Sequence, residues 1–530
     1  MKNKKRIVAL FAATVMIVSS LAGCGSKTDK PEGTQEAKAE KVLKFGCAMY
    51  SDGMVDSIAQ TNGAWNAMRY GVSESLFKFD DSMNAKPCLA EKMEESEDHK
   101  TFVITLKDGI KFSDGCEVTA TKVKESIERG FKEGPNGTSA PNKFLPYDSK
   151  ITADDAKKQI TIETTEPTVN LAGRLANPVM AIFDVEHTTD FTNGAIGTGP
   201  YAIESFTEQV GYELVANKNY REKVPYDKVS ILFMGDASAK ANALKNGQVD
   251  LVENITNVAD ISEFKNDDNY TVDITTGIRT GFSYMNQNGV LANKELRKAI
   301  LMGIDYDAIC NSNTIGGLYV PGFAVLPSST DYGYDKLTNP YKYNVEEAKA
   351  TLDKAGIVDK DGDGIREIDG KNINLTYVSY ENRLLNEFSD AHTQYLKEIG
   401  IGITPKYGSS DDQWKALTTG DYDINNNNWT TVGTGDPLDF LANWYSEGDA
   451  DYCGYKNSEF DKLYKEFLEE FDMDKRKELV VQMQQILIDD AVAIIDGYYS
   501  SSMIYSKNVG KAHISTADYY WITSDIIPAE

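Results

Sequence analysis

Residues 87–129 read PCLAEKMEESEDHKTFVITLKDGIKFSDGCEVTATKVKESIER, and each part of the run has a physical reading. Phe102-Val103-Ile104-Thr105-Leu106-Lys107 is β-rich with partial alternation, which predicts a strand with one buried face. Asp114-Gly115 predicts a tight turn. Thr119 is placed to cap a helix whose Val123 and Ile127, four residues apart, share a face.

Other stretches extend the pattern. Gln159-Ile160-Thr161-Ile162-Glu163-Thr164 predicts a second strand. Over residues 474–490, Leu479, Val480, Met483, Ile486 and Leu487 fall on one helical face, with Asp474 as the expected N-cap. Residues 345–355 read as a helix stopped by Gly356, and residues 373–378 as a strand. Strands interleaved with amphipathic helices, without repeats, predict a layered α/β class.

The opening run is similar to a known signature: a Pro-x-Leu-Ala-Glu start, a strand ending in Leu-Lys, Lys-Phe-Ser-Asp-Gly, then a Thr-Ala-x-x-Val-x-x-Ser helix start. Glu117 and Lys122 depart from it, standing where proline and aspartate are usual. The match continues through Gly197-Thr198-Gly199-Pro200-Tyr201, through Asn217-Lys218-Asn219-Tyr220 (with Arg221 in place of a common tryptophan), and through Ala243-Leu244-Lys245-Asn246-Gly247-Gln248-Val249-Asp250. It ends with Leu296-Arg297-Lys298-Ala299-Ile300, Ile304-Asp305 and Phe460-Asp461. In this order the segments resemble bacterial extracellular solute-binding protein family 5, the peptide- and nickel-binding lipoproteins of ABC importers.

The resemblance implies a type II periplasmic-binding fold: two α/β lobes and an extra subdomain around a ligand cleft, closing by a hinge. By analogy, residues 41–76, 196–274 and 491–530 belong to the first lobe, 77–195 to the subdomain and 275–490 to the second lobe. Residues 279–286 and 491–495 are the expected crossings. The implied partners are a peptide-sized solute, an ABC permease and its ATPase. The implied protein is a monomer without cofactor or covalent chemistry.

The N-terminal end has its own reading. Lys2, Lys4, Lys5 and Arg6 precede an apolar run of about 16 residues, short of the ~20 that span a bilayer, so residues 1–23 read as a cleaved export signal. Leu21-Ala22-Gly23-Cys24 resembles the lipobox, which makes Cys24 the expected acylated residue and the membrane the site of tethering. Residues 24–40 hold no large apolar side chain and read as a flexible tether. Losing the signal moves the net charge from -26 to -30, which excludes a nucleic-acid partner. Five cysteines then remain, an odd number unsuited to a disulfide framework.

Candidate ligand residues follow from the resemblance. Arg69 and Arg383 lie in segments similar to the arginine-bearing ones of members that take nickel or metal-chelator complexes, and a guanidinium suits carboxylate clamping. Tyr50, Trp65, Tyr380, Trp414 and Trp429 are candidate pocket aromatics. Peptide-binding members can hold the peptide ammonium with an aspartate three residues after the cleft tryptophan; here that place is Val432, and Asp436, at the following Asp-Pro, is a candidate ligand residue facing the cleft or a simple turn former. An oligopeptide is the leading cargo expectation, and a nickel or metal-chelate complex the alternative.

Two further motifs were weighed. Asp359, Asp361, Asp363 and Glu367 occupy positions 1, 3, 5 and 9 of a calcium-type loop, but position 12 is Gly370, and a plain turn explains the same residues. Ser75-Leu76-Phe77-Lys78 matches the Ser-x-x-Lys of serine acyl-transferring enzymes, yet Lys-Thr-Gly, Ser-Asp-Asn and Gly-x-Ser-x-Gly are all absent. His99, His187, His392 and His513 are scattered singly, so the sequence offers no direct metal site.

Overall fold

Two long strands, Tyr270–Met285 and Ala493–Ser506, pair antiparallel along nearly their whole length, from Tyr270 opposite Ser506 to Tyr284 opposite Ala493. They form the middle of an 11-stranded sheet in a computed structural model that describes residues 40–50, 54–56, 58, 61–133, 144–146, 148–191 and 193–530. The expected export signal, Cys24 and nearly all of the tether lie outside the described residues.

The strands beside this ribbon attach at opposite ends of it. Leu251–Glu253 pairs with residues 503–505 and leads outward to Val42–Cys47, Lys228–Phe233, Gly211–Ala216 and Tyr201–Thr207. Ile424–Thr430 pairs with residues 279–285 and leads to Asn374–Tyr380 and Gly402–Gly408. One half of the ribbon therefore serves each lobe. Each lobe has its own core, built on Phe45, Leu214, Ile231 and Trp521 in the first and on Leu296, Ile300, Leu375 and Phe388 in the second, all fully buried.

Between the halves the pairing is irregular, with register breaks from Thr276 to Thr280 and from Gly281 to Phe282. The second break leaves Asp496 as an extra residue between Ile495 and Gly497, and such bulges bend a strand pair. Gly497 has φ +137, and a Cβ there would lie 2.7 Å from the Val320 carbonyl oxygen. Residues 493–495 pair with 282–284 and residues 500–506 with 270–276, so the irregular stretch lies at residues 496–499, directly after the expected crossing at 491–495.

The subdomain is the four-stranded antiparallel sheet Ala90–Glu95, Thr101–Leu106, Gln159–Glu163 and Lys150–Asp154, with the helix Ala120–Glu133 packed on it. Phe102, Ile104 and Leu106 point inward, as the alternation predicts. The Thr119 hydroxyl accepts from the Lys122 amide at 3.2 Å. The helix Met473–Asp489 starts earlier than expected: Asp472 is its N-cap, accepting from the amides of Asp474 and Lys475, and Asp474 lies in the first turn. Among the described residues, no helix is long and apolar enough to cross a membrane, and Cys47, Cys88, Cys116, Cys310 and Cys453 are all free.

Candidate functional site

Arg69 ends the helix Thr61–Arg69. Its Nη2 meets Asp518 Oδ2 at 2.7 Å, and its Nε donates to the Asp518 carbonyl at 3.0 Å. The guanidinium carbon lies 4.1 Å from the Trp521 ring centroid, 5.0 Å from Trp65 and 5.1 Å from Tyr50. Three of the candidate residues are thus one assembly, and Asp518, whose other oxygen accepts from Trp521 Nε1 at 2.8 Å, completes it. Arg69 is committed inside the protein.

Two other arginines face the same region. Arg279, in the irregular stretch of the ribbon, lies 5.6 Å over Trp65 and donates to the Asn428 carbonyl at 3.2 Å. Arg383 lies 5.6 Å over Tyr499 and donates to Asn382 Oδ1 at 3.2 Å. Neither guanidinium has a carboxylate partner among the described residues. Burial, then the charges of Arg383 and Arg69, push Arg279 down to about 10. The charges of Arg383 and Arg279 act on the Tyr380 hydroxyl, and those of Arg69 and Arg383 on that of Tyr50.

The backbone at Arg383 is strained. Arg383 (φ 45) and Leu384 (φ 60) are both left-handed, at about 1 kcal/mol or more each. The Tyr319 hydroxyl donates to the Arg383 carbonyl at 2.7 Å and accepts from Asn428 Nδ2 at 3.0 Å.

The remaining candidates fall elsewhere. Trp414, Trp429 and Tyr452 form an aromatic group with ring centroids 5.8–6.3 Å apart. Trp429 opposes Thr280 and packs on Phe282 and Tyr284, the face of the strand opposite to Arg279. Asp436 does not face the cleft, in contrast to the sequence expectation. Its oxygens receive Arg476 Nε and Nη2, both at 3.0 Å, and the arginine is fully buried. A buried guanidinium requires such a counter-charge.

The calcium-type loop has the hydrogen bonding of the plain turn that the sequence also allows. Asp359, Asp361 and Asp363 converge, but Glu367 is not among them. Its side chain is buried and accepts from the Lys360 amide at 3.1 Å. Asp359 accepts from the amides of Gly362 and Gly364 at 2.7 and 2.9 Å, as in a turn.

The sequence reading missed Arg279, Tyr499, Asp518, Tyr519 and Trp521. A charged residue inside a predicted interlobe strand was the available signal for Arg279. The cavity bounded by Trp65, Arg279, Thr430, Tyr499, Thr516 and Tyr519 measures about 10 Å³, room for a single water.

Two lobes on a shared ribbon, with arginines and aromatics from both meeting between them, define a solute-binding protein of the hinged, two-lobed type. The family model of the bacterial extracellular solute-binding proteins, family 5, matches residues 84–452, and the chain belongs to this family, whose members serve ABC importers. The chain is 28% identical over 423 residues to the probable D,D-dipeptide-binding periplasmic protein DdpA of Escherichia coli, covering 77% of this chain and 78% of that one. It is 23% identical over 533 residues to the oligopeptide-binding protein AppA of Bacillus subtilis, covering 96% of each. NikA of Brucella suis, solved with Fe(III)-EDTA, shares the fold with a TM-score of 0.81 at 20% identity, covering 92% of this chain and all of that one.

Proposed function

We propose that this protein is the lipid-anchored capture subunit of an ABC importer and that its cargo is a peptide-sized solute carrying carboxylates. One observation carries the cargo reading. Among the described residues, Arg279 and Arg383 present two guanidinium groups without carboxylate partners, and the nearby Asp518 carboxylate is taken by Arg69. Two unpaired, desolvated cations favour an anion that accepts paired hydrogen bonds. The place that holds an ammonium in peptide-binding relatives is Val432, fully buried. A carboxylate-rich metal chelate fits these groups better than a peptide gripped by its ammonium.

An oligopeptide is the second reading. The aromatic surroundings of Tyr50, Trp65, Tyr380 and Tyr499 and the likeness to the dipeptide- and oligopeptide-binding relatives support it. A peptide can use Arg279 and Arg383 through its C-terminal carboxylate. In either case the lobes part to admit cargo and close again on it. No catalytic step is assigned.

Calorimetry with nickel or iron chelates of citrate, histidine and EDTA, beside di- to nonapeptides, tests the cargo class. A true cargo at 100 times its Kd raises stability by about 2.7 kcal/mol, and Arg383→Ala removes that gain. Tight binding of peptides that survives Arg383→Ala, with no chelate bound, overturns the carboxylate reading. Loss of membrane association and of acyl-chain labelling in Cys24→Ala tests the anchor; a variant that stays on the membrane overturns it.

A further inference from the structure

Four side chains from two separated segments of the subdomain meet at one point. Asp114 and Cys116 lie in the turn before the helix Ala120–Glu133; Asp184 and His187 lie just after the turn Pro178–Met180. One ligand atom from each lies within 4.8 Å of the other three. His187 Nδ1 is 3.0 Å from Asp184 Oδ2, 3.5 Å from Asp114 Oδ2 and 3.6 Å from Cys116 Sγ.

An imidazole nitrogen carries at most one proton, so His187 Nδ1 can satisfy one of these three groups at a time. Both carboxylates are already aimed by their own loops. Asp114 Oδ1 accepts from the Cys116 amide at 2.9 Å, and Asp184 Oδ1 accepts from the amides of Glu186 and His187 at 3.1 and 3.2 Å. Each therefore turns its Oδ2 toward the imidazole, the outer-shell support typical of metal ligands. Four ligands at 2.0–2.3 Å from a tetrahedral ion stand about 3.3–3.8 Å apart. Two of the three measured separations already lie in that range, and the Asp184 contact needs only a slight widening. Lys122 Nζ, 2.8 Å from Asp184 Oδ2 and 3.1 Å from Glu186 Oε2, is a single positive charge shared by two carboxylates, so the group stays net negative. A divalent ion then meets the Asp114 carboxylate and the Cys116 thiolate.

We propose that Asp114, Cys116, Asp184 and His187 bind one divalent cation of the zinc class, at a site separate from the arginine cluster between the lobes. Thiolate and imidazole select zinc-like over calcium-like ions. Binding frees the Cys116 proton and ties the loop ahead of the helix to the segment at residue 184.

The test uses the whole chain, stripped with chelator and free of cargo. Zn2+ titrated by calorimetry is expected to bind one to one, and Co2+ to show a thiolate-to-cobalt absorption band. Cys116→Ser is expected to abolish the band, and Cys116→Ser and His187→Ala each to weaken Zn2+ at least tenfold. Cys88→Ser, a control thiol elsewhere, leaves both readouts unchanged. His187 has 44% of its side chain exposed and Cys116 is half-buried, so both variants keep the fold, as thermal unfolding verifies. Absence of the cobalt band, or Zn2+ binding unchanged in both variants, overturns the site.

Discussion

The Tyr319 hydroxyl is 2.7 Å from the carbonyl oxygen of Arg383, a hydrogen bond that holds a left-handed backbone turn in front of the helix Leu385–Glu398. Tyr319 is a positioning residue for an arginine it does not touch by its side chain. Tyr319→Phe keeps the ring but leaves the Arg383 carbonyl and Asn428 amide without this partner. The expected result is cargo binding weaker by about 1 kcal/mol, roughly fivefold, read by calorimetry.

Arg69 and Arg383 separate by role. Arg69→Ala strands Asp518 beside buried aromatics and is expected to cost about 3 kcal/mol of stability. Arg383→Ala breaks no ion pair and is expected to leave stability within about 1 kcal/mol while removing cargo binding. Denaturant melts with and without cargo distinguish the two.

Asp436→Ala leaves the fully buried Arg476 uncompensated. A loss of about 3–5 kcal/mol in stability is expected. Cargo affinity, measured below the new melting temperature, is expected to be unchanged.

Closure should depend on Gly173. A Cβ there would lie 2.1 Å from the Thr434 carbonyl oxygen, where the second lobe meets the subdomain and Asn170 Nδ2 donates to the same carbonyl at 2.9 Å. Gly173→Ala is expected to hold the lobes apart, with a larger radius of gyration in cargo by small-angle scattering than wild type.

The pH dependence follows from Asp496 and His392, whose Oδ1 and Nε2 are 3.7 Å apart and fully buried. Around them, among the described residues, stand Tyr306, Cys310, Tyr319, Tyr377 and Asn426, and no cation acts on Asp496 or His392. Burial pushes His392 down to about 3 from 6.5, and pushes the Asp496 carboxyl far above its ordinary 3.8. The folded chain therefore keeps the Asp496 proton and excludes the His392 proton. Between about pH 4 and 6.5 the unfolded chain binds as many protons as the folded one, through the histidine, and stability is flat. Above about 6.5 the unfolded chain has shed both while the fold retains one, so stability falls by up to about 1.4 kcal/mol per pH unit. Below about 4 the unfolded chain binds one more, and stability falls again. Asp496→Asn is expected to abolish the alkaline decline, measured by urea melts from pH 5 to 9.

Local order was readable from the chain alone. The strand at Phe102, the turn at Asp114 and the Thr119 cap are set by neighbours a few residues away, and the structure keeps them. Arg69 and Arg383 came from family likeness; Arg69 packs with Tyr50 and Trp65, while Arg383 lies over Tyr499. The ion pair of Asp436 was not legible because its partner, Arg476, stands 40 residues away, in the helix Met473–Asp489, where a lone arginine looks solvent-facing. Cys116 and His187 are 71 residues apart, and no spacing rule joins them. Arg279 and Asp518 become neighbours only once the ribbon and the C-terminal segment have folded together.

Because both lobes borrow their central strand pair from a single ribbon, neither half owns a complete sheet. Melting one half exposes an open edge on the other, so the two are expected to lose structure together, in one cooperative step. Cargo seated on either side slows amide hydrogen exchange across the whole ribbon. The bend that lets solute in falls where the pairing is interrupted between Thr276 and Thr280, so the lobes can part without unzipping the paired ends of the ribbon.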